Sequence, residues 1–301
     1  MPTNIWIDGR LQPADSPSLS VFDRGFLLGD GIFETLRARR AVAIELDEHL
    51  ERLRESALPL GIRLPADDAA IVAGIAALLR AEGLADDGSA SSHPGDEAIR
   101  ITVSRGVSMG RGLAPAGPDV APTVVVLAWP HTGPDPAVLR DGLSLITSSV
   151  RRDPGSPLAG VKSTSRAESV YARLEAERAG ADDALVLDTM GHVSEATSAN
   201  VFAIRRGRLL TPPLGSGCLA GTTRSWLLRH AAEHDLEPEE DELTRADLLH
   251  ADEVFLSSSV AGVLPVSSLD DEEIGRGGAG PITISLHDAR EAWIDRVSRG
   301  A

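Results

Sequence analysis

Short alternating strands that close in tight turns dominate this 301-residue sequence, and they set the strongest limit on its fold. Residues 4–7 run into the turn Asp8-Gly9, and a second predicted hairpin pairs residues 32–37 with residues 41–44. Helical patterns do not alternate regularly with the strands, as a doubly wound parallel sheet would require. The pattern therefore predicts an α+β fold in which antiparallel strands dominate.

Length and apolar content predict two domains. A hydrophobic fraction of 42% can fill a sizeable core, and a chain of this length exceeds one small domain. Residues 129–138 contain three prolines, which is typical of a linker. We expect a small α/β domain over residues 1–129, a linker over residues 130–137 and a larger domain over residues 138–301.

Composition argues against several classes of partner. The formal net charge of −16 disfavours binding to the phosphate backbone of a nucleic acid. The single cysteine, Cys218, excludes an internal disulfide and a multi-cysteine metal site, and the eight histidines show no metal-ligand spacing. No segment is long and apolar enough for a membrane span or a signal sequence. We therefore expect a cytoplasmic protein that binds neither metal, nucleic acid nor membrane.

One residue stands out against this composition, because Lys162 is the only lysine and the other 28 of the 29 basic residues are arginine. Arginine can replace lysine as a solvated cation, but it cannot become a free amine that attacks a carbonyl. A lone lysine therefore either performs chemistry that needs an amine or remains on the surface by chance. Composition alone leaves both explanations open.

Two further segments carry candidate chemistry. GSGCLAGTTR places three glycines before a helix predicted to begin at Thr222, where backbone N–H groups and the hydroxyls of Thr222 and Thr223 can meet an anion. Arg52 adds a guanidinium fork suited to phosphate. The carboxylate of Glu195 follows the turn TMGH. Taken singly, the alternatives are a simple helix cap, a solvated arginine and an exposed glutamate.

Together, an amine, a carboxylate and an anion cradle are the groups that a pyridoxal phosphate site needs. Six segments bring them into the order and spacing of a known family, and the sequence resembles the class IV aminotransferases over nearly its whole length. This family, the fold-type IV pyridoxal phosphate enzymes, includes branched-chain aminotransferases, D-amino-acid transaminases and aminodeoxychorismate lyases. The segments are DRGFLLGDGIFETLR, HLERL, GVK, GADDALVLDTMGHVSEATSANVF, LLTPPLGSGCLAGTTR and ADEVFLSSSVAGVLPV.

The resemblance implies a fold and a site. It implies a small N-terminal α/β domain, a larger C-terminal β-barrel-like domain, pyridoxal 5′-phosphate in the cleft between them, and a homodimer. Lys162 would form the Schiff base with the cofactor, Glu195 would meet the pyridine nitrogen and Leu219 would pack on a ring face. The implied phosphate ligands are Arg52, Thr222, Thr223 and Ser259.

The reaction is harder to predict than the cofactor. Branched-chain enzymes typically carry a tyrosine five residues after the lysine, where this chain has Ala167, and D-amino-acid transaminases carry an Arg-x-His that the loop RGVSMGRG lacks. Arg105 and Arg111 in that loop, and Arg166 after the lysine, resemble the lyase subgroup, and two loop arginines suit a substrate with two carboxylates.

Ser258 completes the predicted substrate contacts. We expect a lyase of folate biosynthesis that converts 4-amino-4-deoxychorismate to 4-aminobenzoate and pyruvate. The alternative is an aminotransferase, of the D-amino-acid or branched-chain type, that passes an amino group to a 2-oxo acid. An idle protein with this fold is a third possibility, and it predicts no cofactor absorbance.

Overall fold

The structure is a computed structural model that describes residues 2–64, 68–83, 96–108, 112–115 and 120–300. The chain divides into two compact units. The first comprises Met1–Thr132, Val161–Arg166 and Ile294–Ala301, and the second comprises Gly133–Gly160 and Ala167–Trp293. The segment that carries Lys162 thus packs with the N-terminal unit. The domain limits expected from the proline-rich segment stay a prediction.

The first unit is built on an antiparallel sheet whose strand order, in the described residues, is β2-β1-β6-β5-β3-β4. Its strands are β1 (Asn4–Ile7), β2 (Arg10–Pro13), β3 (Gly31–Arg39), β4 (Val42–Ala43), β5 (Asp96–Ser104) and β6 (Thr123–His131), and its helices are α1 (Arg24–Leu28), α2 (Leu46–Leu60) and α3 (Ala69–Ala81). Alternation along β3 and β5 buries one face of the sheet, which forms an apolar core with α2 and α3. Phe33 of β3 and Arg100 of β5 alternate with these core residues and therefore lie on the opposite face.

Helix α2 begins differently from the sequence expectation. The sequence predicts Asp47 as the N-cap of a helix that ends before Gly61, and Asp67 as the start of the next helix. The helix begins instead at Leu46, and its cap residue, Glu45, has a left-handed backbone (φ 54°) without a side-chain cap bond. Asp47 lies in the first turn, where its charge complements the helix dipole. The helix ends before Gly61, as expected. Asp67, the expected start of the next helix, lies outside the described residues.

The second unit contains a larger sheet with the strand order β12-β11-β10-β13-β14-β7-β8-β9, to which β15 adds at β14. Its strands are β7 (Leu143–Arg152), β8 (Asp183–Asp188), β9 (Val193–Ala196), β10 (Asn200–Arg205), β11 (Arg208–Thr211), β12 (Glu237–Glu240), β13 (Glu253–Ser258), β14 (Gly262–Leu269) and β15 (Glu272–Glu273), and its helices are α4 (Pro136–Asp141), α5 (Ala167–Ala179), α6 (Thr222–His230), α7 (Arg245–Leu249) and α8 (Pro281–Arg299, up to Trp293 in this unit).

This larger sheet curls on itself. Strands β9 and β10 are far apart in the hydrogen-bonded order, yet only three residues join them, so the sheet bends into a half barrel. Its pairing is more mixed than the sequence indicates, because β7 pairs parallel with both β8 and β14, and β11 pairs parallel with β12. Apolar clusters lie on both faces of the sheet, and α6 and α8 contribute to one of them.

The α+β expectation is confirmed by this arrangement. Within the described ranges, no helix combines the length and the apolar character needed to cross a bilayer.

Candidate active site

Lys162 lies in a short segment that pairs with the start of β3. Its backbone N–H donates to Ser56 Oγ of α2 (3.2 Å), and its carbonyl accepts from the N–H of Phe33 in β3 (3.0 Å). The next residue, Ser163, forms a β-bridge with Ile32. The amine is therefore carried by a backbone that a strand and a helix hold in place.

A cluster of cations surrounds the ring of Phe33. Lys162 Nζ lies 4.8 Å from the ring centroid, and the guanidinium carbons of Arg100 and Arg166 lie 3.9 Å and 5.9 Å from it. Burial, and then the positive charge of Arg166, lower the pKa of Arg100. Each cation is attracted to the face of the ring, and the three positive charges together favour the binding of an anionic group.

Arg52 is held by a buried charge network on α2 and β3. Its Nε and Nη2 lie 2.8 Å and 2.7 Å from the two oxygens of Glu34, and His49 Nδ1 lies 2.7 Å from Glu34 Oε2. The side chains of Glu34 and His49 are fully buried. Burial opposes ionisation of Glu34, but the hydrogen bonds and charges of Arg52 and His49 outweigh it and lower the pKa of Glu34 to about 2. Burial also lowers the pKa of His49, although the hydrogen bond and the charge of Glu34 oppose this shift.

Glu195 and Leu219 come together in the second unit. Glu195 lies on β9, where its Oε1 is 2.6 Å from Arg152 Nη2 and its Oε2 accepts from the backbone N–H of Leu219 (3.1 Å). The carbonyl of Leu219 accepts from Asn200 Nδ2 (2.8 Å). Both oxygens of this carboxylate therefore have a donor within the unit.

The N-terminus of α6 carries two hydroxyls with different surroundings. Thr222 Oγ lies 3.1 Å from Ser259 Oγ, but the buried hydroxyl of Thr223 has no hydrogen-bond partner among the described residues, and neither has that of Ser257 on β13. A Cβ on Gly221 would lie 2.1 Å from the amide oxygen of Asn200, so a larger residue here would force the Asn200 side chain to shift. Buried donors without partners cost free energy, and a phosphate at a helix N-terminus would supply acceptors. These residues fit the phosphate of the implied cofactor.

The remaining predicted substrate residues have different surroundings. Arg105 forms an ion pair with Asp30 (Nε–Oδ2 2.7 Å, Nη2–Oδ1 3.0 Å) and donates to the carbonyls of Leu60 and Gly61. Burial raises the pKa of Asp30, but the hydrogen bonds and charges of Arg105 and Arg24 outweigh it and lower that pKa. Ser258 Oγ, at the end of β13, accepts from the N–H of Ala261 (3.3 Å). Arg111 lies outside the described residues.

Several residues at these sites were missed by the sequence argument. Arg100 interrupts an apolar alternation in β5, and Glu34 is a carboxylate inside the apolar segment GIFETLR, so both left a signal. Arg152 lies in the polar run RRDPGS and gave none.

The family model for amino-transferase class IV matches residues 31–269 of this chain. The chain belongs to this family. A relative from Methanocaldococcus jannaschii, named a putative branched-chain-amino-acid aminotransferase, is 36% identical over 97% of this chain and 98% of its own.

Two solved structures are similar to this fold. The branched-chain amino acid aminotransferase of T.th., solved with pyridoxamine 5′-phosphate, has a TM-score of 0.88 and 30% identity, covering 98% of this chain and 94% of its own. The 4-amino-4-deoxychorismate lyase of Pseudomonas aeruginosa has a TM-score of 0.80 and 32% identity, covering 96% of this chain and 98% of its own. Both reactions that the sequence left open thus occur among its structural neighbours.

Family membership confirms four expectations: the resemblance, the fold class, the enzymatic nature of the protein and its cofactor. The protein is a pyridoxal phosphate-dependent enzyme of the class IV aminotransferase family. The roles of individual residues stay predictions.

Proposed function

We propose that this enzyme is an aminotransferase that exchanges an amino group between an amino acid and a 2-oxo acid, with a dicarboxylate as one of its substrates. The observation that carries the proposal is the convergence of Arg100 and Arg166 on the Phe33 ring, next to Lys162. A guanidinium pair beside the reactive amine suits a substrate with a second carboxylate. The similarity to branched-chain aminotransferases supports the same choice.

The chain's own residues would perform five tasks. Lys162 would hold the cofactor and would move a proton at the substrate Cα. Glu195 would accept a hydrogen bond from the ring nitrogen, and Leu219 would pack against the ring. Arg52 and the hydroxyls of Thr222, Thr223 and Ser259 bind the phosphate. Bound pyridoxal 5′-phosphate supplies an electron sink for the bond broken at Cα.

Substrate carboxylates are assigned to cationic and hydroxyl groups. Arg100 and Arg166 bind the distal carboxylate, while Arg111 and Ser258 stay candidates from the sequence. Arg105 is the weakest of the predicted substrate residues, because its guanidinium is already bonded to Asp30 and to two backbone carbonyls.

Lyase activity on 4-amino-4-deoxychorismate is the second candidate. It is favoured by Arg166 near Lys162 and by the similarity to the Pseudomonas aeruginosa lyase. The ion pair between Arg105 and Asp30 argues against the lyase, because Arg105 is one of the two loop arginines on which the lyase prediction depends.

A homodimer is the assembly that we propose. Residues 19–28 expose a run of large apolar side chains, of which Phe26 is the most exposed at 75%. Exposed apolar surface of this kind marks an interaction site, and a second copy of the chain is the occupant that the family resemblance implies. We further propose small-molecule substrates, no nucleic acid partner and a cytoplasmic location.

One pair of assays separates the two reactions. We expect amino exchange when the purified enzyme receives glutamate with a branched-chain 2-oxo acid, and no pyruvate from 4-amino-4-deoxychorismate alone. Arg100→Met should raise the KM for glutamate by about tenfold or more, because a charge-assisted hydrogen bond is lost, and should change the KM for a monocarboxylic amino acid little. Release of pyruvate and 4-aminobenzoate without amino exchange would establish the lyase instead.

A further inference from the structure

Arg152 has no role in the function proposed above. It ends β7, and its Nη2 lies 2.6 Å from Glu195 Oε1, while its Nη1 lies 3.7 Å from Glu168 Oε2. The two contacts differ in environment, because the side chain of Glu195 is 12% exposed and that of Glu168 is 69% exposed. Exposed ion pairs contribute little, so the contact with Glu195 is the stronger of the two.

The surrounding fold makes room for this arginine. Gly217 has a φ of 80°, and a Cβ there would lie 2.7 Å from Arg152 Cγ, so the glycine both permits the turn and clears the path of the side chain. The carbonyl of Arg152 accepts from the N–H of Thr189 (2.9 Å), and its Cα is in register with Asp188 of β8. The backbone and the side chain of Arg152 are thus both constrained.

Arg152 is held there at a cost. Its Nε is buried and has no hydrogen-bond partner among the described residues. A buried donor without a partner destabilises the folded state, so folding alone does not account for the arginine at this position.

We propose that Arg152 is a positioning residue for Glu195. This inference rests on the proposed role of Glu195 toward the ring nitrogen of the cofactor. Two donors, Arg152 and the N–H of Leu219, fix the carboxylate from two sides. An ionised carboxylate offers about four acceptor positions, so these donors leave capacity for an N–H of the cofactor ring. Arg152 thereby sets the orientation in which Glu195 meets that ring and offsets its charge.

The test compares two cofactors on the apoenzyme. One is pyridoxal 5′-phosphate, and the other is the analogue with a CH in place of the ring nitrogen, which Glu195 cannot bind through a hydrogen bond. Arg152→Met should raise the Kd of pyridoxal 5′-phosphate by about tenfold or more and leave the Kd of the analogue nearly unchanged. Arg152→Lys, which keeps the charge, should restore part of the difference.

A matched control lies next to it on the same strand. Arg151 is exposed and donates to the carbonyls of Ser148 and Val150, so Arg151→Met should change neither Kd. Glu168→Gln should also leave both values within about twofold, because its contact with Arg152 is long and exposed.

Two results would overturn the proposal. If Arg152→Met and Arg152→Lys raise the Kd of both cofactors equally, the arginine contributes only to packing. If neither variant changes either Kd, Arg152 has no effect on cofactor binding. If the wild-type enzyme binds both cofactors equally well, the proposed role of Glu195 is wrong, and so is this inference. Failure of the wild type to bind pyridoxal 5′-phosphate through Lys162 is a separate result, which would overturn the proposed function itself.

Discussion

The phosphate ligands assigned to the two units are prepared in opposite ways. In the first unit, Arg52 is locked by Glu34, which His49 also contacts, and both of these partners are fully buried. In the second unit, the hydroxyl of Thr223 is buried without a hydrogen-bond partner among the described residues. The first group is stabilised by the fold before any ligand binds, whereas the second gains its partners only from a ligand. Substitutions in the first group should therefore lower the free energy of unfolding of the apoenzyme, whereas substitutions in the second should weaken cofactor binding.

The largest effect is expected at Glu34. Glu34→Gln leaves the buried guanidinium of Arg52 without its counter-charge, and breaking such a pair costs ~3–5 kcal/mol of unfolding free energy. Urea denaturation of the apoenzyme measures this loss. Glu48→Gln, on the exposed face of the same helix, should change it by less than ~0.5 kcal/mol. Equal stability of the Glu34 and Glu48 variants would contradict the claim that Glu34 holds Arg52 in the folded apoenzyme.

The same loss should depend on pH. The pKa of Glu34 is lowered from 4.5 to about 2, so its contribution to stability is complete above pH 4.5 and disappears as the pH falls toward 2. The gap in unfolding free energy between wild type and Glu34→Gln should be constant from pH 8 to pH 5, at ~3 kcal/mol by the size of the shift, and shrink below pH 4.5. A gap that persists at pH 2 would show that the carboxylate charge is not its source.

A smaller and opposite effect is expected at Thr223. Thr223→Val removes a buried hydroxyl that has no partner, so the stability of the apoenzyme should stay the same or rise, while the Kd of pyridoxal 5′-phosphate should rise about tenfold. Thr211 is the matched control, because its buried hydroxyl donates to the carbonyl of Val201 (2.8 Å). Thr211→Val should lower stability by ~1 kcal/mol and leave the Kd unchanged. The comparison fails if the two variants behave alike.

Sequence and structure agree where local pattern decides the outcome. The alternation of β3 and β5, the end of α2 at Gly61 and the start of α6 at Thr222 all follow from residues within a few positions. Such features are encoded by strand periodicity and by glycine at helix ends. They were sufficient to predict the α+β fold, and the anion cradle before α6 stays a prediction.

Agreement ends where distant residues decide. The pairing of Arg105 with Asp30, 75 positions earlier in the chain, is invisible in the loop sequence, and so is the contact between Arg152 and Glu195. The start of α2 was missed because a left-handed backbone at Glu45 replaces side-chain capping. Parallel pairing of β7 also depends on strands more than 30 residues away.

The central claim, that Lys162 holds the cofactor, can be tested by trapping. Borohydride reduction of the purified enzyme with pyridoxal 5′-phosphate, followed by peptide mass analysis, should place one cofactor adduct on the peptide that contains Lys162. No other lysine exists in the chain to accept it. Lys162→Ala should show neither the adduct nor turnover, and an adduct or full activity in that variant would contradict the account.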